Sequence, residues 1–281
     1  MSLEPERAVE PSPAPDILAG SPATAYFWGY VAGAGEVSDR AIELTTSDET
    51  AARRLARIAD ADPDGLDRET STREYAHDAR VTRTEDEYTL TIEADDEGRL
   101  LGRSSVLGLP VDGRGNYGFT GFGAHDRELL RGLLEGCGTV CFKSSSGTVG
   151  ISFVHDDRAL LERIQALIAD CPVDAPTGEP AETSSGGYWF GVDDDAAPAF
   201  GPWLYESCRE TGLFAPSRRR KLVRSIEAAE AYRSEDTDGA ADEDERTDGP
   251  ADEDERTDGD SQANADGDGA GQANADGDRG P

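Results

Sequence analysis

Lysine is almost absent from this chain: of 27 basic residues in 281, only Lys143 and Lys221 are lysine. Basic residues of either kind are few beside 59 acids, and the net charge is −32. Acidic excess with so little lysine is the composition of proteins from a salt-saturated cytoplasm, as in halophilic archaea. Carboxylates hold water and cations, while salt at about 1 M screens their repulsion beyond roughly 3 Å. The charge therefore speaks to habitat before it speaks to partners. Long apolar runs are also missing. No stretch of about twenty apolar residues could span a bilayer, and Met1–Asp16 has no apolar segment of a secretory signal. These absences predict a cytoplasmic protein that does not bind a membrane. The four cysteines, Cys137, Cys141, Cys171 and Cys208, then read as free thiols, and no Cys/His spacing suits zinc. His77, His125 and His155 are scattered, no Ser/His/Asp set is evident, and no phosphate-cradling glycine loop follows a strand.

What the chain does contain is a repeated segment. Tyr26-Phe27-Trp28-Gly29-Tyr30-Val31-Ala32-Gly33-Ala34-Gly35-Glu36-Val37 aligns with Leu129-Leu130-Arg131-Gly132-Leu133-Leu134-Glu135-Gly136-Cys137-Gly138-Thr139-Val140, glycine on glycine. Each is a helix-like run with two glycines four apart, closed by a third glycine and a β-prone residue. Glycines at i and i+4 clear one helix face, so a second backbone can approach it. Gly29, Gly33, Gly132 and Gly136 therefore predict that the two helices pack on each other across a pseudo-two-fold axis, within a monomer.

The order of elements also occurs twice. Ser21-Pro22 starts a helix over 23–34. Strands over 36–38 and 41–46, a helix over 48–59, strands over 74–82 and 88–93 and a short helix over 96–107 follow. After a glycine-rich linker at 109–124, read as flexible, Asp126 caps a helix over 127–136. A hairpin (139–143 and 148–154), a helix over 156–169, a strand over 188–192 and helices over 198–208 and 216–232 complete the second copy. The expected fold is α+β: two pseudo-symmetric αββαββα repeats, at 17–108 and 125–233. Residues 1–16 read as a flexible leader. From 234 to 281 the chain is Asp-, Glu-, Gly- and Ala-rich with tandem identical copies of ADEDERTDG and QANADGD, and reads as a disordered acidic tail.

The repeated helix endings, the element order, and Trp203-Leu204-Tyr205 followed by Arg218-Arg219-Arg220-Lys221 together resemble the LAGLIDADG (dodecapeptide-type) homing endonucleases over roughly residues 20–230. The resemblance implies a β-saddle that straddles duplex DNA. It also implies an acid just before the last glycine of each motif, holding divalent metal for cleavage of both strands. Those positions are Ala34 and Cys137. Alanine has no donor atom, and a thiolate is too soft for Mg²⁺. The candidate substitutes are Glu36, past the helix end, and Glu135, one step around the helix. The resemblance also places DNA-contact candidates at Arg40, Arg80, Arg83, Lys143, Ser144 and Ser145, and in the basic cluster Arg218, Arg219, Arg220, Lys221 and Arg224.

The resulting expectation is a LAGLIDADG-like protein that has lost cleavage and keeps double-stranded DNA as a partner, in a regulatory role, with no cofactor or metal. A divergent active endonuclease using Mg²⁺, and a saddle repurposed to bind protein or ligand, are the alternatives.

Overall fold

In the computed structural model, residues 9–38, 41–75, 78–93, 107–109 and 116–243 are described, with backbone alone for 72–75, 78–83 and 235–243. The first copy runs α1 (Pro22–Ala34), β1 (Gly35–Val37), β2 (Ala41–Thr46), α2 (Glu49–Ile58), β3 (Asp67–Tyr75) and β4 (Asp78–Glu93). The second runs α3 (Asp126–Cys137), β5 (Gly138–Lys143), β6 (Thr148–His155), α4 (Arg158–Ala169), β7 (Ala181–Glu182), β8 (Tyr188–Val192) and α5 (Ala197–Leu204). A short α6 (Cys208–Thr211) and the long α7 (Pro216–Glu243) follow. Among the described residues there are two four-stranded antiparallel sheets, ordered β1-β2-β4-β3 and β5-β6-β8-β7. The α+β fold with two matching halves is therefore present, and no described helix is long and apolar enough to cross a membrane.

Local chemistry explains where the elements start. Ser21 accepts from the Thr24 amide while Thr24 Oγ1 accepts from the Ser21 amide, a capping box with Pro22 in the first turn. Asp48 caps α2 through the Ala51 amide (3.1 Å), and its other oxygen accepts from the Ser217 amide (2.7 Å) at the start of α7. One carboxylate thus anchors helices that lie 169 residues apart in sequence. Each sheet buries one face under helices. Ile42, Leu44, Leu90 and Ile92 meet Leu55 and Ile58 of α2, and Ile151, Phe153, Phe190 and Val192 meet Leu160, Leu161 and Ile164 of α4, in one hydrophobic core.

Several expectations change. The strand placed over 74–82 spans two strands: β3 ends at Tyr75 and β4 begins at Asp78, forming a long hairpin with no Gly, Pro or Asn to mark its turn. α3 is preceded by His125, and Asp126 lies inside its first turn. The linker is folded where it is described: Tyr117, Phe119 and Phe122 are buried, and the Tyr117 hydroxyl donates to Asp157 (2.7 Å). Its aromatic side chains outweigh its glycines. The leader is docked as well. Pro11 is buried, the Ala14 amide donates to the Ile58 carbonyl (3.0 Å), and Glu10 pairs with Arg57. Helix α7 continues to Glu243, past the expected start of the tail at 234, and residues 244–281 lie outside the described residues. So does the helix expected over 96–107, apart from Leu107.

Candidate functional site: the helix crossing and the two sheet faces

At the centre of the molecule α1 and α3 cross in backbone contact. A Cβ on Gly33 would lie 2.9 Å from the Cys137 nitrogen and 3.2 Å from Gly136 Cα. One on Gly136 would lie 2.9 Å from the Tyr30 carbonyl oxygen. Gly29 and Gly132 are tighter still, facing the Leu129 and Tyr26 carbonyls respectively. The four glycines thus come together in symmetric pairs.

Both helices end at this crossing, α1 on Ala34 and α3 on Cys137. The Ala34 methyl offers nothing to a metal. The Cys137 Sγ donates to the Leu133 carbonyl (3.4 Å), and burial pushes its thiol up to about 12, so it stays protonated. Glu36 is exposed on β1 directly opposite Glu43 of β2. Among the described residues no three His, Cys, Asp or Glu side chains converge. The side chains present do not fit the divalent ion that the motif implies.

Glu135 faces the interior, 4% exposed. Its Oε2 accepts from the Tyr26 hydroxyl (2.6 Å) and the Ala215 amide (2.8 Å). Its Oε1 and the Tyr205 hydroxyl are neighbours but are not aligned as a hydrogen bond. Burial raises the Glu135 carboxyl above the usual range, opposed by Tyr26, the Ala215 amide and Arg131. Arg131, fully buried, donates Nε to the Leu204 carbonyl (2.6 Å) and Nη1 to the Leu213 carbonyl (2.9 Å). Arg54 of α2 reaches the Phe214 carbonyl from the other copy. The segment 204–215 is therefore strapped down by buried groups from both halves.

The Glu135 geometry has a consequence for pH. A carboxyl raised in the folded state holds its proton more tightly there than in the unfolded chain. Its contribution is whole below the unfolded value of about 4.3 and declines as pH climbs through the folded one. The stability of wild type minus that of Glu135→Gln should therefore fall as pH rises from about 4.3. Urea unfolding of both proteins between acid and neutral pH checks it, and a flat difference refutes it.

The sheet faces turned from the helices are unlike each other. Strand alternation puts Glu36, Glu43, Asp67, Glu69, Glu85, Glu87 and Glu93 on the first, with Glu36 across from Glu43 and Glu69 across from Glu87. The second carries Thr139, Cys141, Thr148, Gly150 and Ser152, with Val154 and Trp189 exposed and paired at one side. Its cation, Lys143, is held by Asp194 (2.7 Å). Ser144 and Ser145 are exposed in the β5–β6 turn.

Arg40 lies outside the described residues, and Arg80 and Arg83 sit on β4 with only their backbone described. The basic cluster divides in two. Arg218 reaches the Glu135 carbonyl (3.5 Å) and Arg219 lies over the Phe214 ring, whereas Arg220, Lys221 and Arg224 turn outward beside Phe142. Phe142 belongs to the helix-packed side of β5, so these cations are not on the open sheet face. Arg131 was visible in sequence only as a break in an apolar run, and Glu135 only as a candidate metal acid, not as a buried anchor. The spacing of Arg220, Lys221 and Arg224 along one helix stripe was visible from the start.

Residues 4–232 match the LAGLIDADG family described as "Putative archaeal homing endonuclease". Among solved structures, full-length DUF199/WhiA from Thermatoga maritima is similar at 13% identity over 80% of this chain and 70% of that one, with TM-score 0.42. Mesophilic variants from the homing endonuclease I-DmoI are similar at 11% identity over 67% of this chain and 97% of theirs, with TM-score 0.40. The homing endonuclease I-WcaI bound to its DNA recognition sequence is similar at 10% identity over 73% and 87%, with TM-score 0.42. No curated protein matches the chain.

Proposed function

This chain belongs to the LAGLIDADG family of archaeal homing endonuclease-like proteins, and from that membership we propose that it is a non-cleaving member that binds duplex DNA in a regulatory role. The observation that carries the proposal is the helix crossing. Its four glycines hold the two helix ends together as a cleavage centre would need, yet those ends present a methyl and a half-buried protonated thiol. Selection on a metal site would not tolerate that pair, whereas a binding scaffold needs only the close approach.

The difference between the sheet faces favours the second half as the one that would meet the duplex. Seven carboxylates on the first would stand against a phosphate backbone. The second face offers the hydroxyls of Thr139 and Ser152, groups that pair with base edges and phosphates alike, while the Thr148 hydroxyl is taken by Asp194. At molar salt the counterion-release contribution to affinity is small, so such contacts and shape must carry recognition. The exposed Trp189 and Val154 favour a second reading, in which this face docks a protein.

Selection from a randomised duplex library in molar KCl, followed by fluorescence anisotropy, tests the proposal. Enriched sequences should bind, and Thr139→Asp with Ser152→Asp should weaken binding by about 10²-fold, each unfavourable contact being worth roughly 1–3 kcal/mol. Supercoiled plasmid carrying the selected site should stay intact with Mg²⁺ or Mn²⁺. Failure to enrich any duplex would sink the DNA reading. Nicking abolished by Glu36→Gln or Glu135→Gln would instead establish a divergent endonuclease.

A further inference from the structure

In a chain of net charge −32, an outward-facing cation that finds no acid is unusual. Arg220, Lys221 and Arg224 are three such residues: all are exposed, and none forms an ion pair within 4.0 Å among the described residues. They stand at helix positions i, i+1 and i+4 of α7, with Ser217 and Ser225 above and below on the same stripe. Together these five residues and Phe142 line a groove of about 270 Å³. Ser225 is 5% exposed, so the groove reaches a buried hydroxyl. Tyr232, whose ring lies 6.4 Å from that of Phe142, is placed on the same side of α7 further along the helix.

We propose that this groove is a binding site for a small phosphate-bearing anion of the nucleoside di- or triphosphate class. Three positive side chains spread over two successive turns match several phosphates better than one, and about 6 Å of helix rise separates Arg220 from Arg224. The guanidinium groups of Arg220 and Arg224 suit paired phosphate oxygens, and the Lys221 ammonium acts as a point charge among them. Phe142, half-buried, supplies an aromatic wall for a base.

The neighbourhood selects a compact ligand over a long polyanion. Arg220 also borders a second cavity lined by Asp48, Glu49, Glu85 and Asp86. A nucleic-acid backbone continuing past the groove would run into those acids, while a short polyphosphate ends before them. The site lies on the helix-packed side of β5, away from the hydroxyl-bearing face assigned to DNA, and it does not depend on that assignment.

The test is calorimetric titration of the full chain in buffered KCl with ATP, pyrophosphate, inorganic phosphate and a duplex oligonucleotide as separate probes. ATP and pyrophosphate should bind at one site per chain, ATP more tightly, with inorganic phosphate weakest. Lys221→Glu and Arg224→Glu should each reduce ATP affinity by about tenfold or more, charge-assisted contacts being the strong ones, with melting temperature held. Lys143→Glu, on the opposite face, should leave ATP affinity unchanged. Absence of ATP binding overturns the proposal, and so does binding that survives both charge reversals. Duplex binding lost in these two variants, with ATP inert, reassigns the stripe to DNA and equally overturns the small-ligand site.

Discussion

Replacing Arg131 by methionine should lower stability by about 3–5 kcal/mol, the range seen when one member of a buried charged network is removed. Arg131 is fully buried, and it is the hub of the strap at 204–215. Methionine fills comparable volume, so the loss isolates hydrogen bonding from packing. The Leu204 and Leu213 carbonyls, at 2.6 and 2.9 Å from the guanidinium, would be left buried without donors. Glu135 would also lose the cation that opposes its desolvation. Two unsatisfied acceptors at roughly 1–3 kcal/mol each account for most of the expected figure. The segment that then loosens leads directly into α7, so the first structure to fray should be the seating of Ser217 on Asp48. Urea denaturation at fixed KCl measures the loss. A change under about 0.5 kcal/mol, the size of an ordinary surface substitution effect, would mean that water takes over the carbonyls and the strap is not held from within.

Arg131 also marks where sequence reading stops. The paired glycines were legible because their meaning is local: spacing of four on an apolar helix states that another backbone is near, whichever backbone it is. The replaced metal positions were legible for the same reason, since a methyl cannot ligate in any fold. Arg131 and Glu135 carry no such local message. Their partners, Leu204, Leu213 and Ala215, arrive from 73 to 82 residues away. Only the tertiary path of the strap turns two charges in an apolar run into buried anchors.

The acidic sheet face lay between these extremes. Glu85, Glu87 and Glu93 alternate with buried Tyr88, Leu90 and Ile92 around the Thr89–Thr91 positions, a period-two pattern open to view. Starting the strand at Tyr88 hid it, because charged residues alone gave no reason to extend β4 back to Asp78. The linker erred in the opposite sense. Glycine content suggested flexibility, but Tyr117, Phe119 and Phe122 have enough apolar area to anchor the segment once a core is there to receive them.

A single methyl at the helix crossing should disturb the protein almost as much as losing Arg131. In Gly132→Ala the new Cβ would lie 2.8 Å from the Tyr30 amide nitrogen and closer still to the Tyr26 carbonyl oxygen. These are backbone atoms of a buried helix, so no side chain can swing aside. The helices must part, and Tyr26, Tyr30, Leu129 and Leu133 then lose contact along the seam. Overpacking of this kind costs about 1–3 kcal/mol or more. Alanine's better helix propensity returns about 1 kcal/mol at most. Rigid backbone neighbours on both sides put the gross cost beyond that usual range, at about 4 kcal/mol, so we expect a net loss of about 3 kcal/mol. Gly29→Ala meets the Leu129 carbonyl and the Leu133 amide in the symmetric place and should match it within about 1 kcal/mol. Gly121→Ala, with nothing within 4 Å of the added carbon, should change stability by less than about 0.5 kcal/mol. The decisive measurement is the double variant. Once one methyl has separated the helices, the second meets a gap that already exists, so the double loss should fall short of the sum by about 1 kcal/mol or more. Strict additivity would show that the Gly29 and Gly132 positions yield separately, and that the crossing is not the single rigid joint on which both halves of this fold depend.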